Sequence, residues 1–168
     1  MSLSMHQASA PVFIQGLKGL AGVLDKAAAH AAARNIEPAV LLQSRLFPDM
    51  FPLTRQVQIA ADFAKGCVAR LAGQEPPAYE DNEASFDELK ARIAKTVAFL
   101  ESIPAADVDG SEERDITLVR RGQTSVVKGQ TYLLMQAMPN FYFHCTTAYA
   151  ILRHNGVEIG KKDFLGVA

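Results

Sequence analysis

The last third of the chain contains a histidine at a position where a helix would bury it. At about 100° per residue, Asn140, His144 and Thr147 lie on one face of a helix. Phe141 and Leu152 flank that face, which is therefore predicted to point toward the inside of the domain. An inward imidazole must be hydrogen-bonded or bound to a ligand, because burying it unpaired costs about 1–3 kcal/mol.

Three interpretations of His144 follow from this placement. It can be a core histidine whose ring is satisfied by an asparagine, a glutamine or a backbone carbonyl. It can be the polar anchor of a small-molecule pocket. It can also bind a divalent metal such as Zn²⁺ or Ni²⁺, although a metal site needs about three protein ligands and this face offers one histidine. The residues alone leave these alternatives open.

Other segments of the chain are expected to contribute further residues to a site around His144. Gln56 lies at the edge of an apolar stripe, whereas Gln58 lies on the polar side of the same segment, so Gln56 is the better inward candidate. Gln130 and Tyr132 precede the last helix and can close over the mouth of a cavity, with ordinary packing as the alternative. The predicted ligand-binding group is His144, Asn140, Gln56, Gln130 and Tyr132, and His144 is also the candidate metal ligand.

Four amphipathic helical segments would position these residues. They are predicted at about 4–35, 52–72, 85–104 and 139–155. Ser85 and Glu88 form a capping box at the start of the third segment. Residues 116–119 and 124–127 are typical of a small β-hairpin before the last helix. We therefore predict one all-α domain over residues 1–168, a four-helix bundle plus this hairpin, whose long third connection argues against up-down-up-down topology.

The start of the first helix has two alternatives. The helix can start at Ser9, just before Pro11, because proline fits the first turn of a helix. It can instead start near Ser4 and bend at Pro11. In the second case His6 extends the apolar stripe and faces inward, whereas in the first it is a terminal residue.

Two groups of charged and polar residues are predicted to be solvated. One is the side of the second segment opposite its apolar stripe, formed by Arg55, Gln58, Asp62 and Lys65. The other is an acidic loop before the third segment, formed by Glu80, Asp81 and Glu83. We expect the loop to contribute only to solubility.

Composition excludes several classes of function. With a net charge of −1 over 168 residues, the chain lacks the excess of positive charge that would attract nucleic acid. No run approaches the roughly 20 apolar residues of a membrane span, and the first residues do not resemble a secretory signal. Cys67 and Cys145 fall in apolar helical patterns and are expected to be reduced core thiols, so we expect a cytoplasmic protein. Phosphate-loop, Cys-x-x-Cys, His-Glu-x-x-His and Gly-x-Ser-x-Gly motifs are absent from the sequence.

Longer sequence blocks carry a family resemblance. The blocks are Asp-Met-Phe-Pro-Leu-Thr-Arg-Gln at 49–56, Pro-Asn-Phe-Tyr-Phe-His at 139–144, residues 148–156 and the closing 162–166. Together they resemble an uncharacterised bacterial family of the DinB/YfiT-like metalloenzyme superfamily. The resemblance covers nearly the whole chain.

The resemblance implies a four-helix bundle with a long crossover and a homodimer. It also implies a divalent metal held by one histidine on the second helix and a His-x-x-x-His pair on the last, and some such proteins are thiol-dependent transferases or hydrolases. His144 matches the second member of that pair, Asn140 stands at the first, and the second segment has no histidine. Because an amide oxygen is a poor ligand for zinc or nickel compared with imidazole, the metal site is predicted to be degenerate. A metal-dependent transferase or hydrolase and a non-catalytic dimeric interaction module remain the alternatives to a small-molecule pocket.

Overall fold

Helices and one hairpin make up the computed structural model, which describes residues 3–120 and 122–167 apart from the side chain of Arg120. The elements in chain order are α1 (Ala10–Ala33), α2 (Pro38–Leu42), α3 (Leu53–Leu71), α4 (Phe86–Ser102), α5 (Ala105–Val108), β1 (Asp115–Arg120), β2 (Gln123–Lys128), α6 (Gly129–Tyr132), a π-helical turn (Leu133–Ala137), α7 (Met138–His154) and α8 (Lys161–Leu165). The predicted helical fold with a hairpin before the last long helix is confirmed. Among the described residues, no helix has the length and apolarity needed to cross a bilayer.

The first long helix begins at Ala10, with Pro11 in its first turn. Ser9 does not cap it, because the Ser9 hydroxyl donates back to the carbonyl of Met5 at 2.7 Å. Residues 5–9 form turns, in which Met5 is buried and His6 is half-buried. The backbone N–H of His6 donates to Oδ1 of Asp109 at 2.8 Å. The alternative of a helix from Ser4 with an inward His6 is therefore wrong.

Local signals set the ends of α3 and α4. Pro52 immediately precedes α3, and Gly73 follows its end with a φ of 73°, a conformation that glycine adopts without strain. Ser85 accepts the backbone N–H of Glu88 at 3.1 Å, and the Glu88 carboxylate accepts the N–H of Ala84 at 2.6 Å. Two backbone donors at the start of α4 are thereby satisfied, but the carboxylate bonds the N–H of Ala84, one residue before the N-cap, instead of that of Ser85 as in the predicted capping box.

The four long helices pack around a shared apolar core. The most extensive contacts are between α3 and α7, while α4 packs against both α1 and α3. The contacts of α1 with α3 and with α7 are smaller. On α7, Phe141 meets Phe13 of α1 edge to face, with ring centroids 5.0 Å apart. This packing turns one face of α7 toward α3 and so positions the candidate site.

One face of the hairpin packs against the helices. Strands β1 and β2 pair antiparallel, with Ile116 opposite Val127 and Leu118 opposite Ser125. Ile116 and Leu118 are buried, whereas Val119 is exposed. An isolated two-stranded hairpin is only marginally stable, so burial of this face against the helices is what holds it.

The polar side of α3 is covered rather than solvated. Gln58 and Lys65 are buried, because the loop at 74–85 folds back over this side of the helix. Tyr79 from the loop lies against Lys65, whose Nζ is 4.6 Å from the centroid of the tyrosine ring. The side chain of Gln58 donates to the carboxylate of Glu83 at 2.8 Å. The prediction of a solvated face is therefore wrong for Gln58 and Lys65.

A buried arginine explains why the loop folds back. The side chain of Arg92 on α4 is only 2% exposed, and it binds Asp62 at 2.8 Å, Glu83 at 2.9 Å and Asp81 at 3.0 Å. Burial alone would raise the pKa of Glu83, but hydrogen bonds from Arg92 and Gln58 outweigh it, and the pKa is lowered. The acidic loop thus supplies the counter-charges of a buried cation, which corrects the expectation that it serves only solubility.

Both cysteines are free and buried, as expected for reduced core thiols. Burial raises the pKa of the Cys145 thiol to about 12 and also raises that of Cys67. Because the thiolate is the reactive form of cysteine, neither side chain is set up as a nucleophile at neutral pH.

Candidate functional site

The contact between α3 and α7 joins two of the predicted site residues. Nδ1 of His144 lies 2.7 Å from Oε1 of Gln56. The amide of Gln56 is itself oriented, because its Nε2 donates to the backbone carbonyl of Phe51 at 3.0 Å. With Oε1 as the acceptor, Nδ1 of His144 carries the proton, and the lone pair of the imidazole is on Nε2.

Two aromatic rings fix the plane of the imidazole. Phe63 of α3 stacks on His144, with centroids 6.0 Å apart and an interplanar angle of 17°. Phe143 meets it edge to face, at 5.2 Å and 89°. Gln56 is 2% exposed and His144 is 9% exposed, so both lie at the buried side of the helix contact. The ring can therefore neither rotate freely nor take on a full shell of water.

The imidazole is neutral at neutral pH. Burial lowers the pKa of His144 below its ordinary value, and the positive charge of Arg55 lowers it further. No described residue of the chain makes a hydrogen bond to Nε2 of His144. The arrangement presents one nitrogen lone pair that can accept a hydrogen bond or a proton, or bind a metal.

A cavity of about 180 Å³ adjoins the ring that stacks on His144. Phe63 lines this cavity together with Asp62, Arg70 and Tyr132, and the hairpin closes it with Leu118 and Val119. Tyr132 is buried, and its hydroxyl accepts a hydrogen bond from Nη1 of Arg70 at 3.2 Å. Nη1 of Arg70 also donates to the carbonyl of Gly66 at 2.9 Å, so the guanidinium is held in place.

One side of α3 connects the histidine with this cavity. Gln56, Phe63 and Arg70 are spaced seven residues apart, which places them along the same side of the helix. Gln56 binds His144, Phe63 contacts both His144 and the cavity, and Arg70 binds Tyr132. Sequence reasoning missed Phe63 and Arg70. The seven-residue spacing from Gln56 is the signal that could have found them.

Comparison with known proteins places the chain in a family. A family model described as a domain of unknown function, DUF1993, matches residues 5–165. The chain belongs to the DUF1993 family. The crystal structure of a DinB family member protein from Shewanella denitrificans is similar to this DUF1993 chain, with 44% sequence identity and a TM-score of 0.89. The match covers 97% of this chain and 92% of that one. No curated protein matches the sequence.

Two predicted site residues of the DUF1993 protein, Asn140 and Gln130, make their hydrogen bonds elsewhere than with His144. Asn140 is half-buried and its amide donates to the carbonyl of Gln136, at 2.6 Å, within the same helical segment. Gln130 is exposed, and its backbone N–H donates to the carbonyl of Glu112 at 3.0 Å. Neither lines the cavity beside Phe63. Of the five residues, the structure brings Gln56 and His144 together and puts Tyr132 at the adjoining cavity.

The residues present do not fit the three-histidine metal site that the resemblance implies. Within residues 3–120 and 122–167, no group of three or more His, Cys, Asp or Glu side chains could hold a metal ion. The amide oxygen of Gln56 already accepts the Nδ1 proton of His144, and the amide of Asn140 is bonded to its own helix. His144 is left as one nitrogen ligand without partners of similar strength.

Proposed function

We propose that the DUF1993 protein binds a small molecule between α3 and α7, with Nε2 of His144 as the hydrogen-bond acceptor. The observation that carries the proposal is the 2.7 Å contact between Gln56 Oε1 and His144 Nδ1. It fixes the tautomer and leaves a neutral, oriented lone pair at the edge of the core. Nε2 is not one of the buried side-chain atoms that lack a partner among the described residues, so its lone pair is accessible to water or to a ligand.

The surroundings of His144 define the chemistry of the ligand. Because Nε2 of the neutral ring is an acceptor, the ligand must supply an O–H or N–H donor. A ligand group that is itself only an acceptor, such as an anion, would be repelled by the lone pair. The face of Phe63 and the adjoining cavity of about 180 Å³ would receive the rest of a small ligand. Arg70 and Asp62 line that cavity and can bind polar groups of the ligand distant from His144.

A matched pair of histidine variants tests the proposal. His144→Phe keeps a flat ring between Phe63 and Phe143 but removes both ring nitrogens, whereas His154→Phe makes the same change at an exposed position of the same helix. Small amides and diols are screened by ligand-observed NMR. We expect a subset to bind the native chain and the His154 variant but not the His144 variant. Hits that bind all three proteins equally would contradict the proposal.

A metal-dependent transferase or hydrolase is the competing function. One observation favours it: histidines that bind metals usually donate their second ring nitrogen to a carbonyl or carboxylate oxygen, as His144 does to Gln56. The test is elemental analysis of protein purified without an affinity tag. Stoichiometric zinc or nickel that is lost in His144→Ala would show the metal site that the competing function needs, and metal-free protein would eliminate that function.

A further inference from the structure

Helices α1, α7 and α8 line a second cavity, of about 310 Å³ and partly open to solvent, that shares no lining residue with the His144 cluster or the cavity beside Phe63. Its walls include Val12 and Gly16 from α1, Tyr142 and Cys145 from α7, and Phe164 and Leu165 from α8. The cavity is independent of the proposed function.

Specific contacts fix the walls of this cavity. A Cβ atom on Gly16 would lie 2.7 Å from the ring of Phe141, so glycine at this position lets α1 and α7 approach closely. The side-chain amide of Gln15 donates to the carbonyl of Leu165 at 2.8 Å and ties α8 to α1. Lys26 and Asp163 add an ion pair at 2.5 Å between the same two helices. The cavity is therefore formed before any ligand arrives.

The lining of the cavity excludes charged ligands. No Lys, Arg, Asp or Glu side chain lines it, so an ion inside would lose its hydration without gaining a counter-charge. The amide donor of Gln15 is already bonded to the carbonyls of Leu165 and Gly166. Cys145 is a buried thiol and behaves as a small apolar group. Within the described part of the chain, the hydroxyl of Tyr142 makes no hydrogen bond.

The size of the cavity sets the size of the ligand. An apolar cavity of about 150 Å³ in a protein core holds benzene, and this one has about 310 Å³. That volume suits a ligand of roughly ten non-hydrogen atoms. We propose that the cavity binds a small neutral apolar molecule with one hydrogen-bonding oxygen, the class of alkyl phenols and medium-chain alcohols, with the Tyr142 hydroxyl as its polar contact.

A matched set of three probes tests the ligand class. 4-Propylphenol, propylbenzene and 4-propylbenzoate share one apolar body and differ in the polar group. Titrated into the native chain and followed by NMR, the phenol is expected to bind saturably at one site. It should bind about three- to tenfold more tightly than propylbenzene, because one hydrogen bond contributes about that factor. The benzoate is expected not to bind saturably.

Substitutions in the cavity test its location. Val12→Phe places a ring in the cavity and should weaken both neutral probes at least tenfold, whereas Val40→Phe, on an exposed position of α2, should change neither. Tyr142→Phe keeps the wall and removes the hydroxyl. It should abolish the preference for the phenol and leave the affinity for propylbenzene within twofold. This variant keeps the test decisive if Val12→Phe does not fold.

Five results would overturn the proposal, and the first four come from the binding experiments. The neutral probes could fail to bind saturably, or the benzoate could bind as well as the phenol. The preference for the phenol could survive Tyr142→Phe, or phenol binding could be lost in His144→Phe but kept in Val12→Phe. The last result would place the probe in the His144 site instead. A fifth is a native dimer that Leu165→Asp converts to a monomer without loss of fold, because a second copy of the chain would then cover this face.

Discussion

The substitution Gln56→Glu tests the geometry on which the candidate site depends. Glutamate has nearly the shape of glutamine, so the contact with Nδ1 of His144 is retained while a negative charge is added beside the ring and the hydrogen bond from Gln56 Nε2 to the Phe51 carbonyl is lost. A nearby carboxylate stabilises the protonated imidazole. The pKa of His144, which burial and Arg55 hold below its ordinary value in the native chain, is expected to rise.

The size of the rise follows from the distance. Two unit charges about 4 Å apart interact by about 4 kcal/mol at an effective dielectric constant of about 20. Since one pKa unit corresponds to about 1.4 kcal/mol, the upper limit is about three units. Part of this is offset by the cost of burying the introduced carboxylate, because Gln56 is 2% exposed. We expect a rise of about one to three units.

The change also alters the pH dependence of stability. In the native chain the pKa of His144 is lower than in the unfolded chain, so stability is full above about pH 6.5 and falls as the pH drops below it. In Gln56→Glu the folded pKa is raised toward the unfolded value, so the loss of stability below about pH 6.5 that this ring causes becomes smaller. A folded pKa above about 6.5 would reverse the sign, with extra stability below about pH 6.5 that is lost as the pH rises through the folded value.

NMR titration of the four histidine rings measures these shifts directly. The control is Gln123→Glu, which adds the same charge at an exposed position of the hairpin and should leave the pKa of His144 unchanged. The reasoning is refuted if His144 titrates at the same or a lower pH in Gln56→Glu than in the native chain. In that case the amide of Gln56 is not bonded to the ring.

Further predictions concern stability. Arg92→Met removes the buried cation that pairs with Glu83, whose side chain is 10% exposed, and should lower the free energy of unfolding in urea by about 1–3 kcal/mol, whereas Lys90→Met, which removes only exposed ion pairs of the same helix, should lower it much less. Protonation of His144 in the unfolded chain makes the native chain less stable as the pH falls from about 6.5 to the folded pKa of the ring. His144→Phe should remove this loss, which is measured by urea unfolding at several pH values. Ser85→Ala should cost about 1 kcal/mol in the same assay, through loss of the cap on α4, and an unchanged free energy would show that the cap is dispensable.

Features fixed by nearby residues could be predicted from the sequence. The cap at Ser85 joins groups three residues apart, and the inward placement of His144 depends only on helical periodicity and apolar neighbours. Gln56 was identified because it lies at the edge of an apolar stripe, and the packing of α3 on α7 turned that edge toward the histidine. These inferences needed no knowledge of which helices are neighbours.

Features that depend on distant residues could not be predicted in this way. Burial of Gln58 and Lys65 requires the loop at 74–85, which is held by Arg92 on the next helix, and no local pattern distinguishes such a side from a solvated one. The hydrogen bond of Asn140 could not be predicted for a different reason. Its amide finds an acceptor four residues back in its own segment, at Gln136, so the inward face did not require a partner from α3.

The π-helical turn at Leu133–Ala137 determines which way the end of the site faces. Tyr132 and His144 are twelve positions apart, and in an unbroken α-helix they would be rotated by about 120° from each other. A π turn takes up one extra residue, which reduces the rotation to about 20°. Without that extra residue the two side chains would be eleven positions apart in an unbroken α-helix, which gives the same rotation of about 20°. Removing a single residue from this turn would therefore leave the tyrosine facing Arg70 and the imidazole facing Gln56. The turn thus absorbs one residue of the backbone without sending the two ends of the site to different sides of the molecule.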